Sequence, residues 1–121
     1  MSSDAHVDRL MGKLVRAVEV SLKATEAAAQ RELREEGGYR AGRLTFLTRF
    51  FPSSAYLDET AYCYVGEQLV ADPLVSDDDE FFERRVVPFR EAVAMALDDR
   101  ITESVSKVAL LAAALKLEIL P

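Results

Sequence analysis

Tryptophan is absent from this chain of 121 residues, and cysteine and histidine occur once each, as Cys63 and His6. A lone cysteine excludes an intrachain disulfide and a thiolate metal cluster. A lone histidine near the N-terminus excludes a Ser–His–Asp triad and a His-rich zinc centre, leaving carboxylates as the candidate cation ligands. No run of about 18 apolar residues occurs, so no membrane span is predicted and no membrane partner is expected. The first ten residues, MSSDAHVDRL, lack the basic and apolar regions of a signal peptide, and a cytoplasmic location is the expectation. Positive charge is scarce: 15 Lys and Arg stand against 21 Asp and Glu, a net charge of −6. A nucleic-acid polymer needs a basic stripe to neutralise its phosphates, so none is expected as partner.

What remains suits one small domain over residues 1–121, with half its residues apolar and enough length for one core. The acidic residues cluster at 32–36, 77–80 and 98–99. A phosphate-bearing ligand would be repelled there unless a cation stood between. Residues 4–23 are ambiguous: Val7, Leu10, Met11, Leu14, Val15, Val18 and Leu22 fit a helical stripe, yet Val18 to Lys23 also alternate with period two. Gly12 is a natural break. A short helix before it and an extended segment over 13–22 is the preferred reading, and one continuous helix over 5–36 is the alternative. Thr25 is a fitting N-cap for a helix ending at Glu36, with Gly37 or Gly38 supplying the left-handed stop. Residues 43–51 (RLTFLTRFF) and 60–70 (TAYCYVGEQLV) read as strands, 72–80 as an acidic loop, and 82–87 as a further strand. Pro88 suits the first turn of a helix burying Phe89, Ala92, Val93, Ala96 and Leu97. A last helix from about Thr102 carries Val105, Val108, Ala109, Ala112 and Leu115 inward. This order gives an α/β (α+β) layer domain. Cys63 reads as core, with one face of the Tyr62–Cys63–Tyr64 trio buried, and His6 as exposed.

The stretch RELREEGGY over 31–39 poses the functional question. Glu32, Glu35 and Glu36 fall on one side of a helix. Arg31 and Glu35 form an i, i+4 pair that contributes only about 0.2–0.5 kcal/mol. Three like charges crowding the negative helix end cost as much or more. The arrangement is either a solvated helix end or a grip for a hard cation such as magnesium, which takes carboxylate and phosphate oxygens.

Residues 31–39 resemble the second half of the Nudix box, the magnesium-binding loop–helix–loop of the Nudix hydrolases, at every specified position. Further features resemble the ADP-ribose and nucleoside-diphosphate-sugar pyrophosphatases: Phe50-Phe51-Pro52-Ser53 followed by Asp58-Glu59, the acidic loop at 77–80, and Ile101-Thr102-Glu103 before an Ala/Leu helix. The resemblance implies a Nudix-like α/β/α sandwich with a mixed sheet. It implies magnesium (or manganese) on Glu32, Glu35 and Glu36, and a base drawn from Glu80, with Glu83 behind it, or from a helix glutamate, Glu35. Glu59 would face the substrate. The ligand class is a nucleoside diphosphate-linked small molecule, and a homodimer is the expected assembly.

The first half of the box departs from the pattern. Its glycine and glutamate positions hold Ala17 and Lys23, and the Ser-Pro-Gly of the sugar-nucleotide branch reads Ser53-Ser54-Ala55. Residues 1–23 are divergent and too few for the family's several N-terminal strands, so the fold is expected to be abbreviated there, with residues 13–22 or a second subunit covering the sheet edge. Three functional classes follow: a magnesium-dependent pyrophosphohydrolase, a catalytically silent Nudix-like module that binds a nucleotide or protein, or a truncated remnant stable as an oligomer.

Overall fold

Period-two alternation governs the front of the chain. In the computed structural model, which describes residues 6–10, 13–52, 59–75 and 85–119, strands β1 (His6–Leu10) and β2 (Lys13–Ser21) pair antiparallel. The helix expected before Gly12 is therefore a strand. A short apolar segment fits either period, and here hydrogen-bonding partners on both sides decide: β2 on one edge and β5 (Arg85–Val87), running parallel, on the other. The continuous helix over 5–36 is excluded with it.

The sheet is mixed, with five strands in the order β3-β4-β2-β1-β5, β3 spanning Tyr39–Phe50 and β4 spanning Ala61–Ala71. Residues 13–21 cover the β4 edge, as expected of them. The divergent front thus supplies two strands rather than lacking them.

The alternation along β2 sorts its side chains between two cores. Val18 and Val20 join Cys63 of β4 and the buried faces of helices α2 (Phe89–Leu97) and α3 (Ser104–Leu117). Ala17 faces the other way and packs with Leu33 and Ala41 beneath helix α1 (Glu26–Glu32). One helix on one face and two on the other make the α/β/α sandwich. Because both faces are covered, Cys63 and Tyr64 are both buried although they point oppositely. The expectation of one buried face for that trio fails for this reason. The inward placement expected of Leu97, Val108 and Leu115 also fails, since all three are exposed, Leu115 by 78%. In α3, apolar residues run all round the helix, and the face set by Val105, Ala109 and Ala113 wins the core.

Helix α1 begins as the sequence indicates. Thr25 accepts from the Ala28 amide at 3.2 Å, and Glu26 sits in the first turn. Its last turn is not α-helical. Residues Leu33–Gly37 form a π turn, with the Gly38 amide donating to the Leu33 carbonyl at 3.1 Å and Gly38 at φ 78°.

Two consequences are measurable. A Cβ at Gly66 would lie 2.9 Å from the Ala41 Cβ and 3.5 Å from Leu33 Cδ2. Gly66→Ala should therefore destabilise by about 1–3 kcal/mol in chemical denaturation, because the added methyl forces β3 to shift at Ala41. Cys63 is buried, its thiol donating to the Ala109 carbonyl at 4.0 Å, and burial with the nearby Glu19 charge pushes its pKa up to about 12. At pH 8 roughly one thiol in ten thousand is ionised, so a thiol reagent should react only when denaturant is added. Prompt labelling of the native protein would contradict the buried position.

Candidate functional site

Leu33 anchors the region. It is fully buried against Ala17 of β2 and Ala41 of β3, and that contact holds the end of α1 on the sheet. Gln30 adds a directional tie. Its amide Nε2 donates to the Ala41 carbonyl at 2.7 Å and its Oε1 accepts from the Ala41 amide at 2.8 Å, so both outward backbone groups of that edge-strand residue are satisfied. A third tie holds the π turn. Arg34 donates from Nε to the Asp72 carbonyl at 3.1 Å and from Nη2 to the Asp72 carboxylate at 3.0 Å, while the Leu74 amide donates to the Arg34 carbonyl at 3.2 Å.

These contacts give the three glutamates different surroundings. Glu35 points outward and accepts from Arg31 Nε at 2.9 Å, the expected i, i+4 pair. Glu36, carried inward by the wider turn, is 9% exposed. Glu32 faces β2. Burial raises its pKa above the ordinary carboxylate range; a hydrogen bond with Ser21 and the charge of Lys23 pull it down, and the charge of Glu35 pushes it up. Lys23 follows β2 in a loop, its amide donating to Ser21 Oγ at 3.1 Å. The residue at the box's first glutamate position therefore stands close enough to act electrostatically on Glu32. Ala17, at the glycine position, is buried within β2 and is part of the helix seat.

A hard cation needs several oxygen donors gathered at one point. The donor types fit, since all three side chains are carboxylates on successive turns. The arrangement does not: among the described residues no three His, Cys, Asp or Glu side chains come together as a cation-holding group. Glu35 is engaged by Arg31, and Lys23 brings a positive charge to Glu32. Among the described residues, the three carboxylates do not converge on one point.

The remaining sequence candidates divide. Glu59 is half-buried just ahead of β4. Glu80 and Glu83 lie outside the described residues, as does the side chain of His6. Sequence reasoning missed Ser21, Gln30 and Asp72. Each acts across a fold-dependent distance, and none carried a local signal in the sequence. Among the described residues no helix is long and apolar enough to cross a membrane.

Comparison with known proteins follows the same geometry. The family model of the NUDIX domain matches residues 18–108. The ADP-ribose pyrophosphatase of Bacillus subtilis (strain 168) is 36% identical over 72 residues, which cover 58% of this chain and 39% of that protein. The match thus spans well under two thirds of the relative's own length. A solved structure described as the crystal structure of an ADP compounds hydrolase superposes with a TM-score of 0.65 at 18% identity, covering 94% of this chain and 71% of that one. At that identity the likeness is one of fold.

The placement of Lys23 yields a direct test. Lys23→Glu replaces a repulsive charge beside Glu32 with an attractive one, so magnesium affinity measured by calorimetry should rise about tenfold, after discounting the Coulomb gain for solvent exposure. Glu35→Gln with Glu36→Gln should abolish the same binding. A flat response to Lys23→Glu would show that a bound cation does not sit beside position 23.

Proposed function

The chain belongs to the NUDIX domain family, and from that premise we propose that it hydrolyses the diphosphate of ADP-ribose or a related nucleoside diphosphate sugar. The observation that carries this reading is the box helix itself: Glu32, Glu35 and Glu36 on one helix end, seated on the sheet by the buried Leu33. The likeness of 72 residues to an ADP-ribose pyrophosphatase supports the substrate class.

The unassembled carboxylates bear on how the cation takes part. Magnesium binds commonly through one or two carboxylates together with substrate phosphates. In this proposal Glu32, Glu35 and Glu36 would hold magnesium or manganese together with the substrate's phosphates, and the ion would supply charge neutralisation. Glu32 and Glu36 would stand beside the diphosphate with the cation between them. Glu35 exchanges Arg31 for the substrate side and holds the attacking water, and a carboxylate, Glu35 or Glu80, takes that water's proton. Glu59 contacts the substrate from the start of β4. The products are a nucleoside monophosphate and a phosphorylated sugar.

A second reading has its own support. Lys23 beside Glu32 lowers the attraction for any cation, which favours a silent module that binds a nucleotide without cleaving it. A panel of nucleoside diphosphate compounds, incubated with magnesium and followed by phosphate release after phosphatase coupling, separates the two. The hydrolase reading expects ADP-ribose cleavage that falls by about 100-fold or more in Glu35→Gln. Cleavage that survives this substitution removes Glu35 from the reaction and overturns the mechanism, and a panel with no substrate favours the silent module.

A further inference from the structure

The β3 edge carries a feature that the box does not explain. Its pairing with β4 shifts between Phe46 and Thr48: Phe46 stands opposite Tyr64, Thr48 opposite Cys63, and Arg49 opposite Tyr62. The extra residue is a β-bulge, which re-aims the side chains beyond it. Cys63 faces the α3 core, as do Leu47 and Phe50. Tyr62 and Tyr64 therefore face the α1 side, and the bulge sends both Phe46 and Arg49 to that side although they are three residues apart. In an unbroken strand, residues three apart point to opposite faces.

The result is a shelf beside the box helix. Phe46 is 48% exposed and meets the buried Tyr64 edge to face, with ring centroids 5.6 Å apart at 71°, so its orientation is fixed while one side of the ring stays open. Arg49 is exposed, and among the described residues no carboxylate pairs with it. The row it begins runs from Arg49 through Tyr62 to Ser21, the residue bonded to Glu32. Two strand spacings, about 10 Å, separate Arg49 from that end. This is the span between the phosphates of a nucleotide and its base.

We propose that Phe46 and Arg49 form the base-recognition face for the nucleoside half of the ligand, the open ring and the planar guanidinium each offering a stacking surface. The proposal rests on the nucleotide reading of the box and extends it to the part of the ligand that does not react. A chain with net charge −6 that nevertheless presents on this face an aromatic ring and an arginine with no carboxylate partner among the described residues matches an anionic, aromatic ligand. Stacking accepts any base, so the shelf selects nucleosides over other diphosphates without selecting among bases.

Calorimetry on the whole chain with magnesium, using AMP and ribose 5-phosphate as probes, tests this without turnover, since neither carries a diphosphate. AMP affinity should fall about 5- to 150-fold in Phe46→Leu and in Arg49→Gln, while ribose 5-phosphate affinity stays unchanged and Phe46→Tyr restores AMP binding. Phe46→Leu keeps the apolar volume, and circular dichroism of each variant confirms that it is folded. No AMP binding by the parent, unchanged AMP binding in both variants, or equal loss for both probes would overturn the shelf. The hydrolase reading is judged separately: Phe46-dependent AMP binding in a chain that cleaves nothing keeps the shelf and removes the activity. Cleavage with Phe46-independent binding does the reverse.

Discussion

One buried side chain sets the geometry on which the rest depends. Leu33 lies over the sheet with Ala17, Ala41 and Gly66 as its floor, three small residues from three different strands. A helix can approach a sheet this closely only where the facing side chains are small. Once Leu33 is seated, the residues on either side of it in the chain have no freedom left in direction: Glu32 must face β2, and Glu36 must turn inward while Glu35 points to solvent. The carboxylates are placed by an apolar contact, not by one another, which is why three like charges can share the negative end of a helix at all.

The same seat explains the π turn. Gln30 fixes the helix to Ala41 ahead of Leu33, and Arg34 with Asp72 fixes the chain just behind it. Between two such anchors the backbone widens rather than continuing at α-helical pitch, and Gly38 absorbs the left-handed exit. Widened turns of this kind recur where side chains must be aimed. Here the gain is an inward Glu36.

What was legible in the sequence follows from how local each cause is. Thr25, the Ala run and Gly38 announce the helix because caps and propensities act within a few residues. The box spacing announces its carboxylates for the same reason. The strand β1 was not legible, since five residues carry both periods and the choice is made by β2 and β5 from elsewhere in the chain. The exposure of Val108 and Leu115 was not legible either. A helix apolar on all sides does not say which face will be covered until α2 and the sheet take their places. Ser21, Asp72 and the bulge beyond Phe46 belong to the same class: each acquires its role from a partner more than ten positions away.

The altered half of the box then reads as two different kinds of change. Ala17 is buried under Leu33, so the position has become part of the helix seat and its side chain has a packing role that glycine would not fill. Lys23 has no such role, being exposed in the loop and acting on Glu32 through charge alone. A packing substitution is held in place by the core around it, and reversing it would open space beneath the helix. A surface charge is held by nothing but its own solvation, and it still sits where an anionic ligand would meet the helix. The box has thus exchanged one backbone position for stability and one carboxylate for a cation. Under the proposed function, a positive charge there would weaken the hold on a free ion while attracting the phosphates of a nucleotide, so the substitution would favour a cation that comes with its ligand.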